Sequence, residues 1–187
     1  SIALSESGSR LLTGSKDNTA RLWNVASGSQ IQAFGEHADS VMCVAFSADE
    51  EQIFTGLYDG AVWQWNIRTG DLIRTFSGHA KSVNSLAPSA DGRRLVTASY
   101  DGTAKLWDVA TGREVQTFTG HRQPVWSAAL SGDGRLLDTG SRDKTAKLWN
   151  VVSGQEIRTF RGHTSAVLAV DFSIDARYLV TGSSDRD

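Results

Sequence analysis

Histidine, tryptophan and aspartate recur in this chain at one fixed step, and that step limits the fold more than any other feature. The four histidines are His37, His79, His121 and His163. Trp23, Trp65, Trp107 and Trp149 keep the same spacing, as do Asp17, Asp59, Asp101, Asp143 and Asp185. A constant period of this length means one supersecondary unit stacked on copies of itself. Residues that every copy shares then hold the copies together, and function belongs where the copies differ.

The third copy shows what the unit is. Ser82 to Ala87 mixes apolar and small residues and reads as a strand, followed by the Asp91-Gly92 hairpin turn. Leu95 to Ser99, Thr103 to Val109 and Glu114 to Phe118 read as three more strands, separated by Asp101-Gly102 and Thr111-Gly112. No stretch carries a helical period. Four short antiparallel strands with glycine-rich turns, repeated in register, make one blade of a β-propeller. The expected fold is all-β: four blades plus half of a fifth, in units of about 1–39, 40–81, 82–123 and 124–165 with a partial 166–187. Such an arc leaves blade edges open. It is expected to be a fragment of a longer propeller, or to close its ring by pairing with a second copy.

The order of the recurring residues is specific. Glycine-histidine, about 22 residues, an aspartate, then a tryptophan followed by Asp or Asn (Trp23-Asn24, Trp65-Asn66, Trp107-Asp108, Trp149-Asn150) resembles the WD-repeat, or β-transducin-like, family over essentially the whole chain. The resemblance implies a structural hydrogen-bonded tetrad in each blade, in which the tryptophan bonds a hydroxyl, the hydroxyl the histidine, and the histidine the turn aspartate. The implied sets are Ser15, Asp17, Trp23 and His37; Ser99, Asp101, Trp107 and His121; and Ser141, Asp143, Trp149 and His163. The hydroxyl is alternatively the threonine two residues earlier, Thr13, Thr97 or Thr139. The second blade, with Asp59, Trp65 and His79, departs from this scheme. Leu57 replaces the serine, so Thr55 must supply the hydroxyl if the link to Trp65 exists, and Trp63 replaces a basic residue. This blade is expected to pack more by area and less by hydrogen bonding. Burying one indole contributes at most about 4–6 kcal/mol.

Ser, His and Asp together suggest a hydrolase. A catalytic triad is needed once, in an open pocket, whereas this set recurs with a tryptophan that buries it. Four histidines on four separate blades do not have metal-ligand spacing, and no glycine-rich loop precedes a helix. No enzyme, cofactor or metal is expected. The net charge of −2 argues against nucleic acid, and no apolar run is long enough for a membrane helix. The single cysteine, Cys43, sits in an apolar run and reads as buried and structural, and a cytoplasmic protein is the expectation.

Differences between the copies point to a binding surface. The residue before the turn aspartate is Lys16, Tyr58, Tyr100 or Arg142, and the first strand opens on Met42, Asn84, Trp126 or Leu168. Tyrosine, tryptophan and arginine are the residue types enriched at protein interfaces. Lys16, Tyr58, Tyr100, Trp126 and Arg142 are therefore the candidate contacts for a protein or peptide partner. The resemblance implies a non-catalytic scaffold, or alternatively a regulatory domain of a larger bacterial signalling protein. Two residues look wrong for a packed blade and read as drift in a redundant repeat. Asp138 stands where Leu12, Phe54 and Val96 are equivalents, and Pro88 stands where Leu4, Phe46, Leu130 and Phe172 are equivalents.

Overall fold

The computed structural model describes residues 1–185. Its described residues form five antiparallel sheets, four of four strands and one of two, each ordered as in sequence. Sheet one holds β1 (Ile2–Leu4), β2 (Arg10–Gly14), β3 (Ala20–Asn24) and β4 (Gln30–Phe34). Sheet two holds β5 (Val41–Phe46), β6 (Gln52–Leu57), β7 (Val62–Asn66) and β8 (Leu72–Phe76). Sheet three holds β9 (Val83–Pro88), β10 (Arg94–Ser99), β11 (Ala104–Asp108) and β12 (Glu114–Phe118). Sheet four holds β13 (Val125–Leu130), β14 (Leu136–Ser141), β15 (Ala146–Asn150) and β16 (Glu156–Phe160), and sheet five holds β17 (Val167–Phe172) and β18 (Leu179–Ser183). The first strands of successive sheets lie side by side, the arrangement of propeller blades about an axis.

Burial follows from that stacking. The second strand of sheets two to four is covered on both faces, so Ile53–Leu57, Leu95–Ser99 and Leu137–Ser141 are buried at every position. The fourth strand faces outward and exposes residues such as Leu72, Val115 and Ile157. Apolar clusters fill each seam. Leu12, Leu22 and Phe34 meet Val41, Ile53 and Trp65 between sheets one and two. Phe54 and Phe76 meet Leu95 and Trp107 in the next seam. Val96, Leu106 and Phe118 meet Leu137 and Trp149 in the third. Pairing between the third and fourth strands slips one residue at each tryptophan, a bulge that re-aims the side chain at this point of the ladder.

Two local features show how tightly the seams are fitted. The turn after each aspartate needs a left-handed residue: Asn18, Gly60, Gly102 and Lys144 occupy it with φ of 67°, 94°, 90° and 73°. Close approach governs Gly56 instead. A Cβ there would lie 2.4 Å from Cys43 Sγ and 2.9 Å from Val83 Cγ1 in the following sheet. Ala98 holds the equivalent place in sheet three and is fully buried. Gly56→Ala is expected to cost about 1–3 kcal/mol in urea unfolding, through overpacking alone. An unchanged midpoint would show that the seam can yield. Cys43 itself is enclosed, its Sγ lies 3.4 Å from Val83 O, and burial pushes its thiol up to about 12.

Candidate functional site

The loop that enters each sheet after the first carries a histidine and is clipped down by it. Between β8 and β9, His79 Nε2 lies 2.6 Å from Thr97 Oγ1 on β10, and Nδ1 lies 2.8 Å from Asp101 Oδ2 in the β10–β11 turn. Trp107 Nε1 on β11 donates to the same Thr97 oxygen at 2.9 Å. An indole N–H only donates, so Thr97 accepts from it and gives its own hydrogen to Nε2. Nδ1 then carries the ring proton and donates to the carboxylate. The chain of bonds runs one way, from indole to carboxylate, and fixes the tautomer.

Sheet four repeats this arrangement with His121, Thr139, Asp143 and Trp149 at 2.8 Å for all three bonds. In sheet five His163 meets Thr181 and Asp185. Burial alone would raise the Asp101 carboxyl, but hydrogen bonds from His79 and Thr103 outweigh it and hold it well below the usual carboxylate range. Asp143 is lowered in the same way by Thr145 and His121. Burial lowers the His121 imidazole, against the pull of Asp143. The His79 and His121 side chains are 0% and 2% exposed, with both ring nitrogens engaged.

Two parts of the expected tetrads are corrected by this geometry. The hydroxyl is the threonine, not Ser15, Ser99 or Ser141. Those serines serve the turns: Ser15 Oγ accepts from Asp17 N, Ser99 Oγ donates to Lys81 O and accepts from Asp101 N, and Ser141 Oγ does the same with Pro124 O and Asp143 N. Each of the first three histidines also belongs to the recurring tryptophan of the next sheet, so His37 serves Trp65, His79 serves Trp107 and His121 serves Trp149. In sheet one Trp23 bonds Thr13 at 2.9 Å, and Asp17 bonds Thr19 in its own turn.

Sheet two keeps the hydroxyl and changes the rest. Thr55 accepts from Trp65 Nε1 at 3.1 Å and meets His37 Nε2 at 3.0 Å. His37 Nδ1 turns to the Asn18 carbonyl at 3.0 Å, while Asp59 accepts from Ala61 N. Trp63 fills the space, 5.1 Å from the His37 ring and 5.5 Å from Trp65. Area replaces hydrogen bonding here, as the substitution suggests. In sheets three and four the equivalents Lys105 and Lys147 instead bind Glu114 and Glu156 on the outer strand.

Three of the five candidate contacts converge. Tyr58, Tyr100 and Trp126, from three successive sheets, line one groove of about 640 Å³ with Asp39, Met42, Asp59 and Lys81. Tyr58 and Tyr100 are exposed, Trp126 is half-buried, and Trp126 meets Tyr100 edge-on at 5.9 Å. Lys81 Nζ sits 5.7 Å from the Tyr100 ring centre. Arg142 lies in an adjoining hollow of about 300 Å³ that shares Tyr100 and Lys81 and adds Arg122. Lys16 lines neither hollow. Asp39 and Lys81 went unnoticed in the sequence. Both lie two residues after a histidine, where the copies read Asp39, Lys81, Gln123 and Ser165. That variability was the signal available.

Comparison with known proteins follows the same repeat. The profile of the family described as “WD domain, G-beta repeat” matches residues 1–24, 28–66, 70–108, 112–150 and 154–187. Each internal match takes the outer strand of one sheet and the first three strands of the next, so the sequence repeat straddles two sheets. Two curated relatives, both described as “Dynein assembly factor with WD repeat domains 1”, come from Macaca fascicularis and Homo sapiens. Each is 41% identical over 46 residues, which is 25% of this chain and 11% of the relative.

Proposed function

The chain belongs to the WD domain, G-beta repeat family, whose repeats generally mediate protein–protein interaction, and from that premise we propose that it is a non-catalytic platform for a peptide segment of a protein partner. One observation carries this reading. Tyr58, Tyr100 and Trp126 stand at positions where the copies differ, yet three separate sheets bring them into a single groove. Aromatic side chains give much contact area for little loss of freedom and dominate interface energetics. The charge around them is graded, from Asp39 and Asp59 at one end to Lys81, Arg122 and Arg142 at the other. A segment with an apolar or aromatic anchor, a basic residue on one side and acidic residues on the other matches that gradient.

Selection from a displayed peptide library tests the idea. Peptides of this charge order are expected to be enriched, and Trp126→Ala to weaken them by about 10- to 100-fold with unchanged thermal stability. Peptides that bind equally well to the Trp126→Ala and Tyr58→Ala variants would remove the groove from consideration.

A second reading rests on exposed apolar side chains at the two flanks. Ile2 and Leu4 of sheet one are 73% and 61% exposed, and Val180 of sheet five and Tyr178 just before its second strand are 63% and 69% exposed. Patches of this kind favour a covering protein surface, either a second copy or further blades of a longer protein. The mass in solution separates association from a lone chain.

A further inference from the structure

Every sheet repeats the same residues, so each is a control for the others, and sheet four stands out at the strand ends that carry the histidines. There, residues 35–40 and 58–61 of sheet two hold no lysine or arginine, and residues 77–82 and 100–103 of sheet three hold only Lys81. The same two segments of sheet four hold Arg122, Arg142 and Lys144, and Arg161 opens the loop that follows β16. Ala38 and Ala80 are the equivalents of Arg122, and Gly35, Ser77 and Thr119 are those of Arg161. Lys144 takes the left-handed place that Gly60 and Gly102 fill in sheets two and three, where a lysine is strained and a glycine is not. Drift in a repeat scatters exceptions of either sign. These share one sign and one rim, and one of them stands against the preference of its own backbone.

The fold does not use these charges. Lys81, Arg122, Arg142 and Arg161 are exposed, and their side chains make no hydrogen bond or ion pair among the described residues. Lys81 has only the Tyr100 ring beside it. The neighbouring carboxylates are already engaged. Asp101 accepts from His79, from the Ala80 amide and from the Thr103 hydroxyl and amide. Asp143 accepts in the same way from His121, the Arg122 amide and Thr145. Three of the four unused cations, Lys81, Arg122 and Arg142, line the one hollow of about 300 Å³, and Arg122 also lines a smaller one of about 180 Å³ with Arg161.

We propose that the larger hollow takes a phosphate group, carried on a serine or threonine of the peptide that occupies the aromatic groove. The proposal rests on the reading of that groove as a peptide site. A single guanidinium fork meets both oxygens and the one charge of a carboxylate. Two guanidinium groups and an ammonium lining one space match a group with three terminal oxygens and a charge near −2. Tyr100 and Lys81 line both the hollow and the groove, so an anchor on Trp126 and a phosphate on Arg122 and Arg142 fit one continuous segment. That continuity favours a peptide over a lipid headgroup as the carrier.

Titration with N-acetyl-O-phosphoserine methylamide at low ionic strength, followed by proton–nitrogen NMR, tests the phosphate site. The probe is expected to shift the Arg122 and Arg142 Nε–H signals and to bind at least about tenfold more tightly than N-acetylglutamate methylamide. Arg122→Ala and Arg142→Tyr restore residues found in other sheets, and together they are expected to weaken the probe at least about tenfold with unchanged thermal stability. No shift at either arginine, equal binding of the glutamate probe, or equal binding by the double variant would each overturn the site. A synthetic peptide array made with and without one phosphoserine tests the carrier: phosphorylated peptides are expected to bind more strongly, and the double variant to lose that gain. Binding to vesicles containing a phosphorylated inositol lipid, with no gain on the array, would overturn the peptide as carrier. Trp126→Ala is expected to weaken binding to the array and to leave the small probe's affinity unchanged, so failure of the groove and failure of the phosphate site are read separately.

Discussion

Asp138→Leu is expected to stabilise the protein, and more strongly at alkaline than at acid pH. Asp138 is fully buried, and neither carboxyl oxygen has a hydrogen-bond partner among the described residues. Its equivalents Leu12, Phe54 and Val96 each belong to the apolar cluster shared with the following sheet. Burial pushes the Asp138 carboxyl up to about 7. The sign follows from proton binding. Between about pH 4, where the unfolded chain titrates, and about pH 7, the folded state holds more protons, so stability falls as pH rises. The loss is complete above the folded value and amounts to about 4 kcal/mol at most, at 1.4 kcal/mol per tenfold change in proton affinity. A neutral but unpaired carboxyl still costs about 1–3 kcal/mol. The leucine variant should therefore gain up to about 3–5 kcal/mol near pH 5 and up to about 5–7 kcal/mol above pH 8, read by urea unfolding of both proteins at matched pH. Asp138→Asn serves as control, losing the pH slope while keeping the buried polar group. A variant that is no more stable at alkaline pH would mean that the charged form is well solvated or paired.

Thr97→Val has the largest expected cost among conservative changes. The replacement is close in shape, and Thr97 is fully buried. It removes the oxygen shared by the Trp107 indole and the His79 imidazole. Two buried polar groups lose their partner, so about 2–4 kcal/mol of stability should go, with a melting temperature lower by about 5–15 °C. The same network predicts which histidine reports on which tryptophan. His79→Gln should move the indole N–H resonance of Trp107, and His121→Gln should move that of Trp149 and leave Trp107 in place. A Trp107 resonance that follows His121 would restore the pairing first inferred from the sequence.

The fold was legible because identical residues at one spacing leave a single architecture, and Asp-Gly and Thr-Gly pairs mark the turns. The wiring was less so. Thr97 and Ser99 lie two apart on β10 and therefore share a face, so alternation cannot choose between them. The register chooses: Thr97 pairs with Lys105 and so sits diagonally from Trp107, within reach of the indole. His121 stands 14 residues after Trp107 and 28 before Trp149, and proximity along the chain favoured the wrong partner. It lies just upstream of β13, so it docks onto the sheet it is about to enter. Of the candidate contacts, Tyr58, Tyr100 and Trp126 were recognisable as aromatic variation. Their grouping with Lys81 and Asp39 depends on how neighbouring sheets are stacked, which no local pattern encodes.

The offset between repeat and sheet has a genetic consequence. Since the module that recurs in sequence supplies the outer edge of one blade and the inner three strands of the next, no single copy is a self-sufficient folding unit. Unequal crossing-over between copies would nevertheless splice equivalent points, so each recombinant junction would complete a blade rather than break one. A gene of this design can lengthen or shorten by whole modules, and its spare copies are then free to acquire exceptions such as Arg122 and Pro88.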